Sequence, residues 1–237
     1  MLKLRLFLLF IIVFINILSY IIFPSSINTL FFNKIFVIMN ELTNIKLNIH
    51  GDKEILKRKG RVIISNHYNA CDFMVIYGMC NNIHTIVKHD LITGECSESI
   101  LLKILSHFQK IIFKSFSFIP YKRGDKTSGD NIKENIVKII KKKKNVLIFP
   151  EGTCTRDGNP KSFKSGLFRT CSEHNIPVIP LTLIYKRPIG LGPDDTVDLI
   201  AQMNNEVDVY IHDELYNSDW EKFRDDAFEI VCKPLKS

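Results

Sequence analysis

Residues 132–149 read Ile-Lys-Glu-Asn-Ile-Val-Lys-Ile-Ile-Lys-Lys-Lys-Lys-Asn-Val-Leu-Ile-Phe. Ile132, Ile136, Val137, Ile139 and Ile140 line one face of a helix running from about Ser128 to Lys144. The period then changes: Val146-Leu147-Ile148-Phe149 is a continuous apolar run, a buried strand that ends at Pro150. A helix feeding directly into a buried strand is the repeating unit of an α/β sheet.

The same alternation extends in both directions. Upstream, Val62 to Ile64 reads as a strand, Phe73 to Met79 as a helix and Thr85 to Val87 as a strand. Ser97 to Phe108 follows as a helix and Phe116 to Tyr121 as a strand. Downstream come a helix over Lys164 to His174 and strands over Val178 to Tyr185 and Val207 to Ile211. Ser218 is placed to cap a last helix carrying Trp220, Phe223, Ala227, Phe228 and Val231. The expected fold class is α/β, a single mixed or largely parallel sheet flanked by helices, over residues 45–237. Ligands of such sheets gather at the carboxyl ends of the strands.

Residues 1–44 have a different character. Leu6 to Phe23 carries no charge, and only Asn16, Ser19 and Tyr20 interrupt it. As a helix it would be about 27 Å long, close to the hydrocarbon thickness of a bilayer. Ile27 to Met39 is a second apolar stretch, too short to span comfortably, after a turn at Pro24-Ser25-Ser26. The expectation is a membrane anchor, spanning or a re-entrant helical hairpin, preceding the sheet domain. A cleaved signal peptide fits less well, because no A-x-A-like site follows. A buried core helix fits less well too, because a polar face is missing. A hairpin would leave both ends, and the sheet domain, on the cytosolic side.

Composition narrows the function. The 237 residues are 46% hydrophobic and 24% charged, an ordinary globular balance that excludes a disordered chain. The net charge of +7 suits nucleic acid, an anionic membrane surface or phosphorylated substrates. No nucleic-acid motif accompanies the charge, and the apolar N-terminus argues against that partner. The six cysteines form no C-x-x-C pair, so zinc spacings are missing and mostly buried, reduced thiols are expected. The remaining histidines form no metal-ligand spacing, and no metal is expected. The run Lys141 to Lys144 reads either as an anionic-lipid or coenzyme contact or as a solvated helix end, the second being preferred.

Two strand ends hold the chemistry. Ser65-Asn66-His67-Tyr68-Asn69-Ala70-Cys71-Asp72 follows the first strand. If a helix starts here, Asp72 can swing back to the His67 imidazole, fix its tautomer and make it a general base for a hydroxyl. Taken alone, this spacing is read preferentially as a turn histidine and a helix cap. Phe149-Pro150-Glu151-Gly152-Thr153 ends the strand quoted first, where backbone N–H groups can meet a ligand.

Together these lines resemble the glycerophospholipid acyltransferase family, whose prototype acylates lysophosphatidic acid. Asn66-His67-x4-Asp72 is similar to its first motif and Phe149 to Thr153 to its third. Phe118 to Arg123 resembles the second, Val178 to Leu181 the fourth, and Phe163-Lys164-Ser165-Gly166 a further family segment. The third motif usually continues with arginine; this chain has Cys154, as do branches acting on lysophosphatidylcholine or glycerol-3-phosphate.

The resemblance implies direct acyl transfer from acyl-CoA, as co-substrate, to a lysophospholipid hydroxyl at a lipid bilayer, with no cofactor. In a eukaryote the membrane would be the endoplasmic reticulum. His67 and Asp72 would be catalytic, while Asn66, Arg123, Glu151, Gly152, Thr153, Arg156 and Lys164 would bind substrate. Cys71 and Cys154 also invite a nucleophile reading, which direct transfer makes unnecessary. A lipid hydrolase or transacylase and a silent lipid-binding protein are the other readings.

Overall fold

The computed structural model describes Ile11 and residues 37–69, 72–80, 83–88, 118–122, 126–155, 159–187 and 204–236. Seven strands are described: β1 (Lys46–His50), β2 (Val62–Ser65), β3 (Ile83–Lys88), β4 (Phe118–Tyr121), β5 (Asn145–Ile148), β6 (Val178–Tyr185) and β7 (Glu206–Ile211). The helices are α1 (Asp72–Met79), α2 (Lys126–Lys141), α3 (Ser165–Glu173) and α4 (Trp220–Cys232). A short helix over 37–43 precedes β1.

The strands form one sheet in the order β1-β7-β6-β2-β5-β3-β4. From β2 to β6 every strand runs the same way; β7 is antiparallel to β6, and β1 follows β7. The sheet is therefore mixed and largely parallel. Its parallel part delivers the carboxyl ends of β2, β5 and β6 to one edge.

Alternation sorts the strand side chains into two cores. Ile63, Leu147, Ile179, Leu181 and Leu183 face Met74, Val75 and Ile76 of α1. Val62, Ile64, Val146 and Val178 face Ile136 of α2, Phe168 of α3 and Phe223, Ala227 and Val231 of α4. Ile63, Ile64 and Leu147 have no exposed surface, and each such side chain contributes about 1.5–3 kcal/mol of burial. Arg169 of α3 stacks its guanidinium over Trp220 of α4, 4.2 Å from the ring centre.

Several boundaries differ from expectation. β1 was not anticipated: Lys-Leu-Asn-Ile-His alternates weakly, and pairing with β7 alone makes it an edge strand. Gly51 closes it at φ +99°, where a Cβ would lie 2.2 Å from the Ile211 carbonyl oxygen. The cap of α4 is Asp219, not Ser218, because its carboxylate reaches the Glu221 and Lys222 N–H groups. Lys164 is the cap of α3 rather than its first turn. The expected helix over Ser97 to Phe108 lies outside the described residues. So does most of the expected anchor, of which Ile11 and residues 37–44 are described; among the described residues no helix is long and apolar enough to cross a membrane.

Candidate active site

β2 and β5 are parallel neighbours, so the loops that leave their carboxyl ends lie side by side. The first carries residues 66–69 into α1; the second carries residues 149–155. The Asp72 side chain has no exposed surface, and four donors converge on it. Its Oδ2 accepts from His67 Nδ1 at 2.9 Å, Tyr68 N at 2.6 Å and Asn69 N at 3.0 Å. Its Oδ1 accepts from the Tyr185 hydroxyl at 2.7 Å. A carboxylate without water needs such partners, and their convergence fixes where it points.

When neutral, His67 is thereby held as the tautomer with Nδ1 protonated and Nε2 the accepting nitrogen. Phe149, at the end of β5, stacks on the imidazole with ring centres 4.1 Å apart. Cys154 Sγ stands 3.2 Å from Nε2. Burial disfavours the imidazolium, but the hydrogen bonds that its ring N–H groups donate to Asp72 and to the Cys154 sulfur outweigh it and raise the basicity of His67 well above the ordinary histidine range.

Glu151 binds the two loops together. Its Oε1 accepts the backbone N–H of His67 at 2.8 Å. Its Oε2 accepts the Thr155 hydroxyl and the Lys161 N–H, each at 2.9 Å. Thr155 N in turn donates to the His67 carbonyl at 2.7 Å. Glu151 is only 3% exposed, and burial pushes its pKa up against those hydrogen bonds. Its carboxylate therefore positions the backbone of His67.

Asn66 acts similarly: its amide accepts from Leu183 N at 2.8 Å and donates to Leu183 O at 3.0 Å, pinning the end of β2 to β6. Both residues were expected in the substrate-binding set. The structure puts their polar atoms on the protein itself.

Gly152 is exposed at φ +69°, a conformation that favours glycine, and the Lys164 ammonium lies against it. Thr153 is half-buried beside Cys154. Arg123 and Arg156 lie outside the described residues. Among the described residues no cluster of three or more His, Cys, Asp or Glu side chains is placed to hold a metal ion. Lys141 to Lys144 precede β5, at the end of the strand away from this site.

Tyr185 is the member that sequence reading missed. The available signal was a tyrosine closing an apolar central strand at the carboxyl edge. An open cleft of about 390 Å³ borders it, lined among others by Tyr68, Lys186, Tyr210 and Leu235.

Residues 46–184 match the family model described as Acyltransferase. A chloroplast 1-acyl-sn-glycerol-3-phosphate acyltransferase of Brassica napus is 32% identical over 73% of this chain and 46% of its own length. The enzyme of the same name from Borreliella burgdorferi is 27% identical over 60% of this chain and 52% of its own. The chain thus spans about half the length of the curated relatives it matches. The crystal structure of the 1-acyl-sn-glycerophosphate acyltransferase PlsC from Thermotoga maritima superposes with a TM-score of 0.63 at 17% identity. It covers 100% of this chain and 97% of that one, and it shares the fold.

Proposed function

The chain belongs to the acyltransferase family, and on that premise we propose that it acylates the sn-2 hydroxyl of 1-acylglycerol-3-phosphate from acyl-CoA, giving phosphatidic acid. One observation carries the chemistry. A buried carboxylate, itself held by four donors, orients a histidine whose other nitrogen faces the Cys154 sulfur at 3.2 Å.

In the proposed reaction His67 Nε2 takes the proton of the acceptor hydroxyl as its oxygen attacks the thioester carbonyl. The bond to the coenzyme sulfur then breaks, and the leaving thiolate takes the proton back. Asp72 keeps the ring oriented and favours the imidazolium as it forms. Asn66 and Glu151 keep the backbone of His67 in place. Lys164 supplies a cation beside Gly152, and Arg123 and Arg156 complete the acceptor phosphate site as planar, bidentate partners. Residues 1–44 hold the site at the bilayer, where acceptor and product reside, with the domain on the cytosolic face.

A second acceptor is favoured by Cys154, which stands where the family usually has arginine. The reading it supports is lysophosphatidylcholine or glycerol-3-phosphate with the same chemistry.

The test is transfer from labelled oleoyl-CoA by the purified full-length protein, with the three acceptors offered in parallel. Label in phosphatidic acid is expected, and none with His67→Ala. Label in another product moves the acceptor. Free fatty acid alone, or full activity in His67→Ala, overturns the reading.

A further inference from the structure

The proposed reaction makes no use of Lys141 to Lys144, and the fold brings a second basic segment beside them. Val146 N donates to Arg61 O at 3.0 Å, while the Asn145 side chain accepts from Arg61 N and donates to Arg58 O. Gly60, at φ +70°, lies against Ile140 and Lys143. Residues 57–61 and 141–144 thus form one surface at the amino edge of the sheet, and every member except Gly60 is lysine or arginine. Glu54 pairs with Lys57, and Glu214 with Arg58 and Arg61. Lys59 and Lys141 to Lys144 make no ion pair among the described residues, and all of them but Lys144 are exposed. A helix C-terminus attracts cations through roughly half an elementary charge, too little to account for this many free ammonium groups.

At one position the charge stands against the local backbone preference. Lys144 N donates to Ile139 O and Lys143 N to Ile140 O, which closes α2 with a Schellman motif. Lys143 is its left-handed residue, at φ +56°, a place that glycine fills best.

Under the proposed function the bilayer lies at the other edge. Lys46 pairs with Glu206, and Lys186 N donates to Glu206 O, so the chain from residues 1–44 enters the sheet at the carboxyl edge. Asn40, in the helix over 37–43, reaches Met74 O near the start of α1 at that same edge. β6, from Val178 to Tyr185, separates the two edges by roughly 23 Å at 3.3 Å per residue. Charges are screened over about 8 Å in physiological salt. The basic surface therefore faces away from the lipid.

We propose that residues 57–61 and 141–144 form a docking surface for a soluble protein with an acidic face. The inference rests on the reading that residues 1–44 hold the carboxyl edge at the bilayer. The donor chemistry favours carboxylates. Both guanidiniums, whose planar forks grip phosphate in pairs, are engaged by Glu214, and ammonium groups remain. The two segments carry no aromatic side chain on which a nucleic-acid base could stack.

The experiment places the full-length protein in phosphatidylcholine nanodiscs and titrates it with fluorescent poly-glutamate at about 0.15 M salt. Saturable binding is expected. It should weaken at least tenfold when Lys59→Glu, Lys142→Glu and Lys143→Glu are combined, with oleoyl transfer in detergent within about twofold of wild type. Lys143→Gly separates binding from folding: its thermal midpoint should hold or rise, because glycine suits the turn, while affinity falls about threefold. Lys222→Glu, on α4, should bind like wild type.

A fluorophore at residue 38 or 142, with brominated lipid in the nanodisc as quencher, reads the orientation in the same preparation. Quenching at 38 and not at 142 is expected. With that pattern in hand, no binding of poly-glutamate, or equal binding by the triple variant, overturns the inference alone. Tighter binding of single-stranded RNA or of phosphatidylglycerol vesicles than of poly-glutamate also overturns it and moves the surface to that partner. Quenching at 142 instead of 38 overturns the placement at the bilayer, and this inference with it.

Discussion

Glu151 and Glu214 sit at opposite ends of the same sheet and answer burial differently. Glu214 accepts from Arg61 Nε at 2.7 Å and Arg58 Nη1 at 3.2 Å. Burial would raise its pKa, yet the two guanidiniums hold it below the usual carboxylate range. Glu151 is more deeply buried, it accepts from two backbone amides and a hydroxyl, and its pKa is pushed up. Ion pairing near solvent tolerates movement and contributes little stability. Neutral donors around a buried carboxylate demand one geometry, because a lost partner leaves a buried polar group unsatisfied. The carboxyl edge is therefore built for position, and the amino edge for solvation.

The largest break in that contrast is His67→Ala, or Asp72→Asn with the base retained but misoriented. Each is expected to lower kcat by about 10²–10⁴-fold, the ordinary contribution of a positioned base, with circular dichroism unchanged. Steady-state transfer assays check this.

Glu151→Ala is expected next. It leaves the His67 and Lys161 amides and the buried Thr155 hydroxyl without their acceptor, and an unsatisfied buried group costs about 1–3 kcal/mol. Denaturant midpoints and kcat should fall together, whereas Glu214→Ala moves neither far. Equal losses in the two variants would erase the contrast.

The pH profile sharpens it. His67 acts only when neutral, and its pKa is raised, so kcat/KM climbs with pH well beyond the ordinary histidine range. The hydrogen bond to the Cys154 sulfur is one cause of the rise, so the acid limb of Cys154→Ala should shift to lower pH. A shift to higher pH, or none, would contradict the contact.

Tyr185→Phe removes one donor from Asp72 and keeps the ring packing. A fall of roughly tenfold in kcat with KM nearly constant is expected, in line with about 1.5–3 kcal/mol for a hydrogen bond to a charged group. The smallest effect belongs to the amino edge. Replacing Lys142 and Lys143 by Glu should leave kcat within about twofold in detergent, since surface charges at that remove are screened. Loss of turnover there would mean that the basic run serves the reaction.

Much of this was legible in advance because it is local. Alternating helix and strand periods, the two apolar strands and the spacing of His67 and Asp72 are written in consecutive residues. The boundaries that slipped are those a neighbour decides: β1 exists through β7, and Asp219 outranks Ser218 because its carboxylate reaches two amides. Substrate-binding roles for Asn66 and Glu151 were read from motif membership. Their partners Leu183 and Lys161 lie 117 and 10 residues away, and no pattern within either motif points to them. Tyr185 stayed hidden for the same reason, being 113 residues from Asp72.

By itself the sequence determined the α/β class, the order of the described elements from β2 onward and the pair of strand ends that meet in the candidate site. Hydrophobic period and residue type act over a few neighbours, so these are readable from one chain. The tertiary structure decided which strands adjoin and hence which loops share an edge. It also decided which polar atoms are used up by the protein, and that a sulfur stands at the open nitrogen of the base. Those are facts of distance between residues far apart in the chain, set by the packing of two cores against one sheet.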